Sequence, residues 1–489
     1  MKDPLAHLKP SSLWQHFFSI TQIPHPSGYT DKIKAFLIDF GNDLGFETKT
    51  DSAGNVLIRK PATKGCELRK TVILQAHMDM VPQANSSVTH NFETDPLEVY
   101  VDKDWVKAKD TTLGADNGIG IAAILAVLES KKIKHGPLVA LFTNDEETGM
   151  QGAFGLRKSF AQGDILINLD SEEEGELFVG CAGGIDADFT FQYDAVPVPE
   201  GDITIKVSIT GLLGGHSGVD IHLERANANK LLFRFLKIAI AQFKVRLASV
   251  NGGSLRNAIP REAFAIITIP KQGVDELNDL VEETVDMFNE EYEGIEKKIQ
   301  LKIEEVDMVE GILPEEMQNN FVNAIYACPN GVLNRISETP CVVETSTNLA
   351  IINTEKFKIV IKCLIRSSVE SKKYELCSMH ESVFSLAGAK VEFLDGYPGW
   401  HPKSNSSILK TIKSIYKQKW GKIPEIKVIH AGLECGVIGA LNPELDMISF
   451  GPTICFPHSP DEKVNIPSVA KFWDLLVSVL ASNSLKDKE

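Results

Sequence analysis

The sequence lacks the features of a secreted, membrane-spanning or nucleic-acid-binding protein. Its eight cysteines, at 66, 181, 328, 341, 363, 377, 435 and 455, include no C-x-x-C pair and no zinc-finger spacing. Most have apolar neighbours and read as reduced, packed thiols of an intracellular protein rather than a disulfide framework. No stretch approaches the roughly 20 apolar residues that cross a bilayer; the best run, Ile119 to Leu128, is too short. The first ten residues, Met1-Lys-Asp-Pro-Leu-Ala-His-Leu-Lys-Pro10, carry no apolar signal-peptide core, so the cytoplasm is the expected location. Positive charge is in deficit: 50 basic against 66 acidic residues give a net charge of −16. That balance argues against nucleic acid or an anionic membrane as partner. Repeats and low-complexity segments are missing too, and the acidic stretch 275–296 reads as the solvated face of a helix.

What is present is a long, ordinary globular chain. With 489 residues, 43% hydrophobic and 24% charged, it can bury a large core and should divide into at least two domains. Its most informative stretch is Thr71-Val-Ile-Leu-Gln-Ala-His-Met-Asp79, an apolar run that breaks on a His-x-Asp triplet. The run reads as a strand buried on both faces, as in a parallel sheet flanked by helices. Positions i and i+2 of a strand point the same way, so His77 and Asp79 leave its C-terminal end on one face. Open α/β sheets keep their sites at that edge. There the pair suits a divalent metal, with Asp79 either a ligand or the group that orients the His77 ring; a buried histidine held by a neighbouring carboxylate is the plain structural reading.

Two further apolar runs end the same way. Pro137 to Thr143 runs into Asn144-Asp-Glu-Glu-Thr-Gly149, and Asp164 to Leu169 into Asp170-Ser-Glu-Glu-Glu-Gly175. Ahead of both, Leu113-Gly-Ala-Asp-Asn-Gly118 opens a buried helix with Asp116 or Asn117 at its start. This βαβ rhythm implies a parallel sheet whose loops gather at one edge. After Cys181-Ala-Gly-Gly184 the pattern changes to alternating half-buried strands and amphipathic helices. The expected architecture is therefore α/β: a mostly parallel-sheet catalytic domain over 1–184 and 380–489, with an inserted α+β lid domain over 185–379. A strand at 390–394 is expected to belong to the first domain.

His77, Asp116, Glu146, Glu147, Asp170 and His458 each fall where a buried strand or a helix start meets a loop. Two imidazoles with several carboxylates are what two adjacent divalent ions need, whereas a structural zinc would more readily show closely spaced cysteines. Glu172, Glu173 and Glu174 are expected to face solvent. Ser217 lacks the G-x-S-x-G elbow, since its segment reads Gly214-Gly-His-Ser-Gly218, so covalent serine catalysis is not expected.

The motifs Gln75-Ala-His-Met-Asp79, Thr112-Leu-Gly-Ala-Asp-Asn-Gly118, Asn144-Asp-Glu-Glu-Thr-Gly149, Asn168-Leu-Asp170, Gly214-Gly-His-Ser-Gly218 and Pro457-His-Ser-Pro460 resemble, in order, those of the di-zinc exopeptidases that include aminoacylase, carnosinase and the tripeptidases. Leu169-Asp-Ser-Glu-Glu-Glu-Gly175, His222-Leu-Glu-Arg-Ala-Asn-Ala228 and His430-Ala-Gly-Leu-Glu-Cys-Gly436 resemble the branch that cleaves aminoacyl-histidine dipeptides. The resemblance implies His77, Asp116 and Asp170 on one metal and Asp116, Glu147 and His458 on the other, with Asp116 bridging. It implies Asp79 as the group that fixes the His77 tautomer, Glu146 as general base, His216 as an oxyanion donor, and Asn257, Arg366 and Gly432 as contacts for the substrate carboxylate. The ions are expected to be zinc, with cobalt or manganese possible. The substrate is expected to be a short peptide such as carnosine, and the assembly a homodimer through the lid. A related tripeptidase or deacylase, and an inactive scaffold of the same fold, are the competing readings.

Overall fold

A computed structural model describes residues 3–337, 339–394, 396–403 and 405–485. The chain forms two compact units: residues 1–180, 400–428 and 433–489 make the first, and residues 181–399 and 429–432 the second. Among the described residues no helix is long and apolar enough to cross a membrane.

The first unit is built on an eight-stranded mixed sheet. Its strand order is Glu47–Thr50, Val56–Lys60, Leu138–Thr143, Val72–His77, Ile165–Asn168, Asp446–Ser449, Glu176–Cys181 and Glu425–Ile429. The sheet is parallel at its centre, where Leu138–Thr143, Val72–His77, Ile165–Asn168 and Asp446–Ser449 run side by side. Antiparallel strands flank that centre on both sides. The central strands Val72–His77, Leu138–Thr143 and Ile165–Asn168 are buried along their whole length. Such strands need apolar residues on both faces, which is why they read as continuous Val, Ile and Leu runs. The helix Ala115–Glu129 is apolar all round and also buried. It can start close to the strand end because Gly120 has no side chain: a Cβ there would lie 2.9 Å from the Leu169 carbonyl oxygen and closer still to Asn117.

The second unit carries an antiparallel sheet of nine strands. Its main path is Gln300–Glu305, Asp202–Thr210, Ala263–Pro270, Arg246–Gly252, Thr339–Glu355, Lys358–Ser367, Gly183–Gln192 and Lys390–Phe393, and Gly331–Ile336 pairs with Thr339–Glu355. Helices Ala228–Phe243, Val274–Glu291, Glu315–Ala327 and Glu370–Leu386 supply apolar faces to a core that includes Phe189, Phe191, Phe233, Phe321 and Phe384. Helix Val274–Glu291 buries Leu277, Leu280, Thr284 and Phe288 and turns its acidic residues outward. The strand expected at 390–394 is found at Lys390–Phe393, but it extends this second sheet, pairing Val391 with Phe189. An isolated short strand carries no local signal for which sheet edge it will join.

Candidate active site

The C-terminal ends of the parallel strands gather the polar groups of the first unit. His77, the last residue of its strand, is 1% exposed. Its Nε2 lies 3.0 Å from Asp116 Oδ1 and 3.3 Å from Asp170 Oδ1, and its Nδ1 lies 3.0 Å from the Asp79 carbonyl oxygen and 3.4 Å from Asp79 Oδ1. Asp79 is itself pinned: Oδ1 accepts from the Glu146 amide (2.9 Å), and Oδ2 from the Glu147 amide (3.3 Å) and the Ser27 hydroxyl (2.8 Å). Burial opposes the charge on Asp79, but His77, Ser27 and the Glu146 amide outweigh it and hold its pKa near 2.

On the other side of Asp116, Oδ2 lies 3.3 Å from His458 Nε2, which lies 2.9 Å from Glu147 Oε1. His458 sits in a turn flanked by Pro457 and Pro460, with its own φ at +60°, in the left-handed region that few non-glycine residues occupy. Two groups of three potential ligands therefore share Asp116: His77, Asp116 and Asp170, and Asp116, Glu147 and His458. A third, His77, Glu146 and Glu147, brings the Glu146 carboxylate to the same atoms.

The charge balance of this cluster asks for cations. Burial disfavours a charged His77, yet Asp170, Asp116 and Asp79 hold its pKa well above the ordinary value. His458 is raised to about 10 through Asp116 and Glu147. Burial, then Asp170, Glu434 and Glu147, push Glu146 well above the usual carboxylate range against the pull of His77. Burial likewise raises Glu147 and Asp170. Hard and borderline donors in carboxylate excess fit divalent ions.

Three carboxylates of this neighbourhood were not legible as site residues. Glu172, expected in solvent, is only partly exposed, and burial with Asp116 and Asp170 raises it to about 9. Glu462 is buried and accepts the backbone amides of Leu113 (2.7 Å), Gly114 (3.0 Å), Ala115 (2.8 Å) and Asp116 (3.3 Å), so it holds the loop that carries Asp116. Glu434 accepts Gln75 Nε2 (2.6 Å) and Thr143 Oγ1 (2.8 Å) on one oxygen. Its other oxygen is buried without a hydrogen-bond partner. Gln75 also accepts Asn168 Nδ2 at 2.6 Å. A polar residue inside an apolar run is the signal that these partners leave in the sequence.

Within the second unit, His216 Nδ1 accepts the amides of Gly218 (3.1 Å) and Val219 (3.0 Å), which leaves Nε2–H as a donor. Arg366 is buried, and its Nη1 donates to Tyr397 Oη at 2.8 Å. Gly432 lies beneath the same ring, where a Cβ would meet Tyr397 Cε2 at 2.8 Å. His430 Nε2 is 2.7 Å from Ser346 Oγ; burial and Arg366 lower its pKa to about 3. Arg366 also bears on His216, whose pKa burial lowers first. Asn257 is exposed, and its backbone carbonyl accepts the Ser217 amide at 2.7 Å.

Residues 73–482 match the family model "Peptidase family M20/M25/M40". The chain is 47% identical over 476 residues to the cytosol non-specific dipeptidase of Escherichia coli strain K12, covering 97% of this chain and 98% of that one. It superposes on the crystal structure of aminoacylhistidine dipeptidase from Vibrio alginolyticus with a TM-score of 0.93 at 48% identity, covering 97% of each chain. Human carnosine dipeptidase 1 shares the fold, with a TM-score of 0.50, 13% identity and coverage of 97% of this chain and 96% of that one. The chain belongs to peptidase family M20/M25/M40.

Proposed function

We propose that this chain is a metal-dependent dipeptidase that hydrolyses short peptides, preferentially Xaa-His dipeptides such as carnosine. The observation that carries the reading is the pair of three-residue ligand groups meeting at Asp116, with Glu146 beside them. The names of the Escherichia coli and Vibrio alginolyticus relatives support the dipeptide and aminoacyl-histidine substrate class.

His77, Asp116 and Asp170 would hold one divalent ion, and Asp116, Glu147 and His458 the second, most simply zinc. When bound, such ions polarise a carbonyl and make water a better proton donor. Glu146 accepts the proton of the attacking water and returns it to the leaving amine. Its place beside His77 and Glu147, without being needed in either ligand group that meets at Asp116, suits it to that double task. Asp79 keeps the His77 Nδ1 proton in place, so that Nε2 presents its lone pair to the cluster. The guanidinium of Arg366, backed by Tyr397, is suited to a substrate carboxylate, with Gly432 and Asn257 as further contacts, and the free Nε2–H of His216 is suited to an anionic oxygen. A homodimer through the second unit belongs to the same proposal and is checked by sedimentation.

The test measures carnosine hydrolysis and bound metal together, for the wild type and Glu146→Ala. Activity lost with two ions retained supports Glu146 as base rather than ligand. A metal-loaded wild type that leaves carnosine intact removes the Xaa-His assignment and turns attention to tripeptides and acylated amino acids; a wild type without metal removes the proposal.

A further inference from the structure

The second unit holds a cluster of soft donors that the proposed peptidase chemistry does not use. Cys328 follows helix Glu315–Ala327, Cys363 lies on strand Lys358–Ser367, and His380 lies on helix Glu370–Leu386. All three are buried, at 2%, 0% and 0% exposure. One donor atom from each lies within 4.8 Å of the others. An apolar core has no need of this trio, since Val or Leu would fill the same space without a polar atom to satisfy.

The imidazole is set up as a ligand. Its ring stacks beside Phe384 at 6.4 Å and Phe189 at 5.7 Å, which fixes its plane. Nε2 is 3.0 Å from Thr347 Oγ1, and assigning the ring proton to that contact leaves Nδ1 as a bare lone pair. Nδ1 faces Cys328 Sγ at 3.5 Å. For metal distances of about 2.3 Å to sulfur and about 2.0 Å to nitrogen, the sulfur–nitrogen edge of a tetrahedral site is about 3.5 Å. Lys230 donates to the carbonyl oxygens of Ile325, Tyr326 and Cys328, placing its ammonium beside the thiols. Burial opposes ionisation of Cys328, but Cys363, His380 and Lys230 outweigh it and hold this thiol well below its usual range. Burial, then Cys328 and Asp188, hold the Cys363 thiol well above its usual range, so this is the proton that a bound cation must displace.

We propose that Cys328, Cys363 and His380 form a metal site for one thiophilic closed-shell ion, Cu⁺ or Zn²⁺, that ties two helices to the sheet of the second unit. Thiolate and imidazole donors select such ions over the hard divalent ions that the carboxylates of the first unit suit. Three donors complete a trigonal cuprous site and leave a zinc ion one position to fill. Binding displaces two protons to solvent, one from Cys363 and one shared by Cys328 and His380, while the other imidazole proton stays on His380 Nε2, donated to Thr347 Oγ1.

The experiment titrates reduced, metal-stripped full-length protein with Co²⁺ under anaerobic conditions. The candidate ligands of the first unit are nitrogen and oxygen atoms, so a near-ultraviolet sulfur-to-cobalt charge-transfer band reports only on the cysteines. The band is expected in the wild type, and its loss is expected in Cys328→Ala and in Cys363→Ala, with carnosine hydrolysis unchanged. Adding Zn²⁺ or Cu⁺ to the cobalt form is expected to bleach it, and the metal that does so at lower free concentration is the preferred occupant. No band in the wild type, or a band that survives both substitutions, overturns the proposal. X-ray absorption at the copper edge, after one equivalent of Cu⁺ is added to the wild type, decides without any variant: two sulfur neighbours and an imidazole support the site, and nitrogen and oxygen neighbours alone refute it.

Discussion

Glu462 is the residue on which the position of Asp116 most directly depends. Its Oε2 takes the Leu113 and Gly114 amides and its Oε1 those of Ala115 and Asp116. Glu462→Gln keeps the shape and one acceptor oxygen, but turns an NH₂ group toward two of the four amides. Each buried donor left unpaired costs about 1–3 kcal/mol. Against this, burial and Asp116 raise Glu462 to about 7, so the native charge is itself a cost that Gln relieves. The net expectation is a loss of about 2–4 kcal/mol. Glu462→Ala strands all four amides and should lose more. The assay is urea unfolding of the metal-saturated proteins, read as a shift in midpoint at constant slope, with metal content measured in parallel. Both variants should also hold less metal, because Asp116 belongs to both ligand groups. Glu462→Gln within about 0.5 kcal/mol of wild type, the scale of ordinary surface substitutions, or Ala no worse than Gln, would refute the argument.

Removing the metals should make stability fall with rising pH. Glu434 and Glu462 are raised from 4.5 to about 7 and Glu172 to about 9, so between pH 4.5 and these values the folded state binds more protons than the unfolded state, and stability drops as pH climbs. For Glu434 alone this amounts to at most about 3 kcal/mol; the thermal shift produced by a chelator should therefore be larger at pH 8 than at pH 5, and an equal shift at both counts against it. Tyr397→Phe removes the partner of Arg366 Nη1 and should raise KM for carnosine several-fold with kcat nearly unchanged, the size expected for about 1 kcal/mol of uniform binding. Steady-state kinetics checks this, and a fall in kcat at constant KM would place Arg366 elsewhere in the reaction.

The sequence made the strands and their polar ends readable because both follow from one constraint. A strand buried on two faces must be apolar until it reaches a loop, so His77 and Asp170 stand out where the run stops. The residues that hold the ligands leave fainter marks. In the run of three glutamates after Ser171, composition could not separate Glu172, which turns toward Asp116, from Glu173, which is exposed. Glu434 opens the buried segment Cys435-Gly-Val-Ile-Gly439, and a charge at the head of an apolar stretch was a usable cue. Cys328, Cys363 and His380 are far apart in sequence and meet only through the packing of two helices on a sheet, so no spacing rule reaches them.

The carboxylate surplus explains why the scaffold around the ligands is so heavily hydrogen-bonded. Asp79, Asp116, Glu146, Glu147 and Asp170 repel one another in a buried setting, and the cations that pair with them in the described contacts are His77 and His458. Left to themselves such groups would move apart or take up protons. What prevents the first is a frame of backbone and side-chain amides. The Glu146 and Glu147 amides are fixed to Asp79, four amides of the Asp116 loop are fixed to Glu462, and Asn117 Nδ2 holds Asp170 at 2.5 Å. The raised pKa values of Glu146, Glu147 and Asp170 show that the second response remains open. A cluster held in place yet short of positive charge stores a preference for divalent ions in its geometry. Loosening the frame at Glu462 should therefore weaken metal binding even though that side chain contributes no ligand to either group.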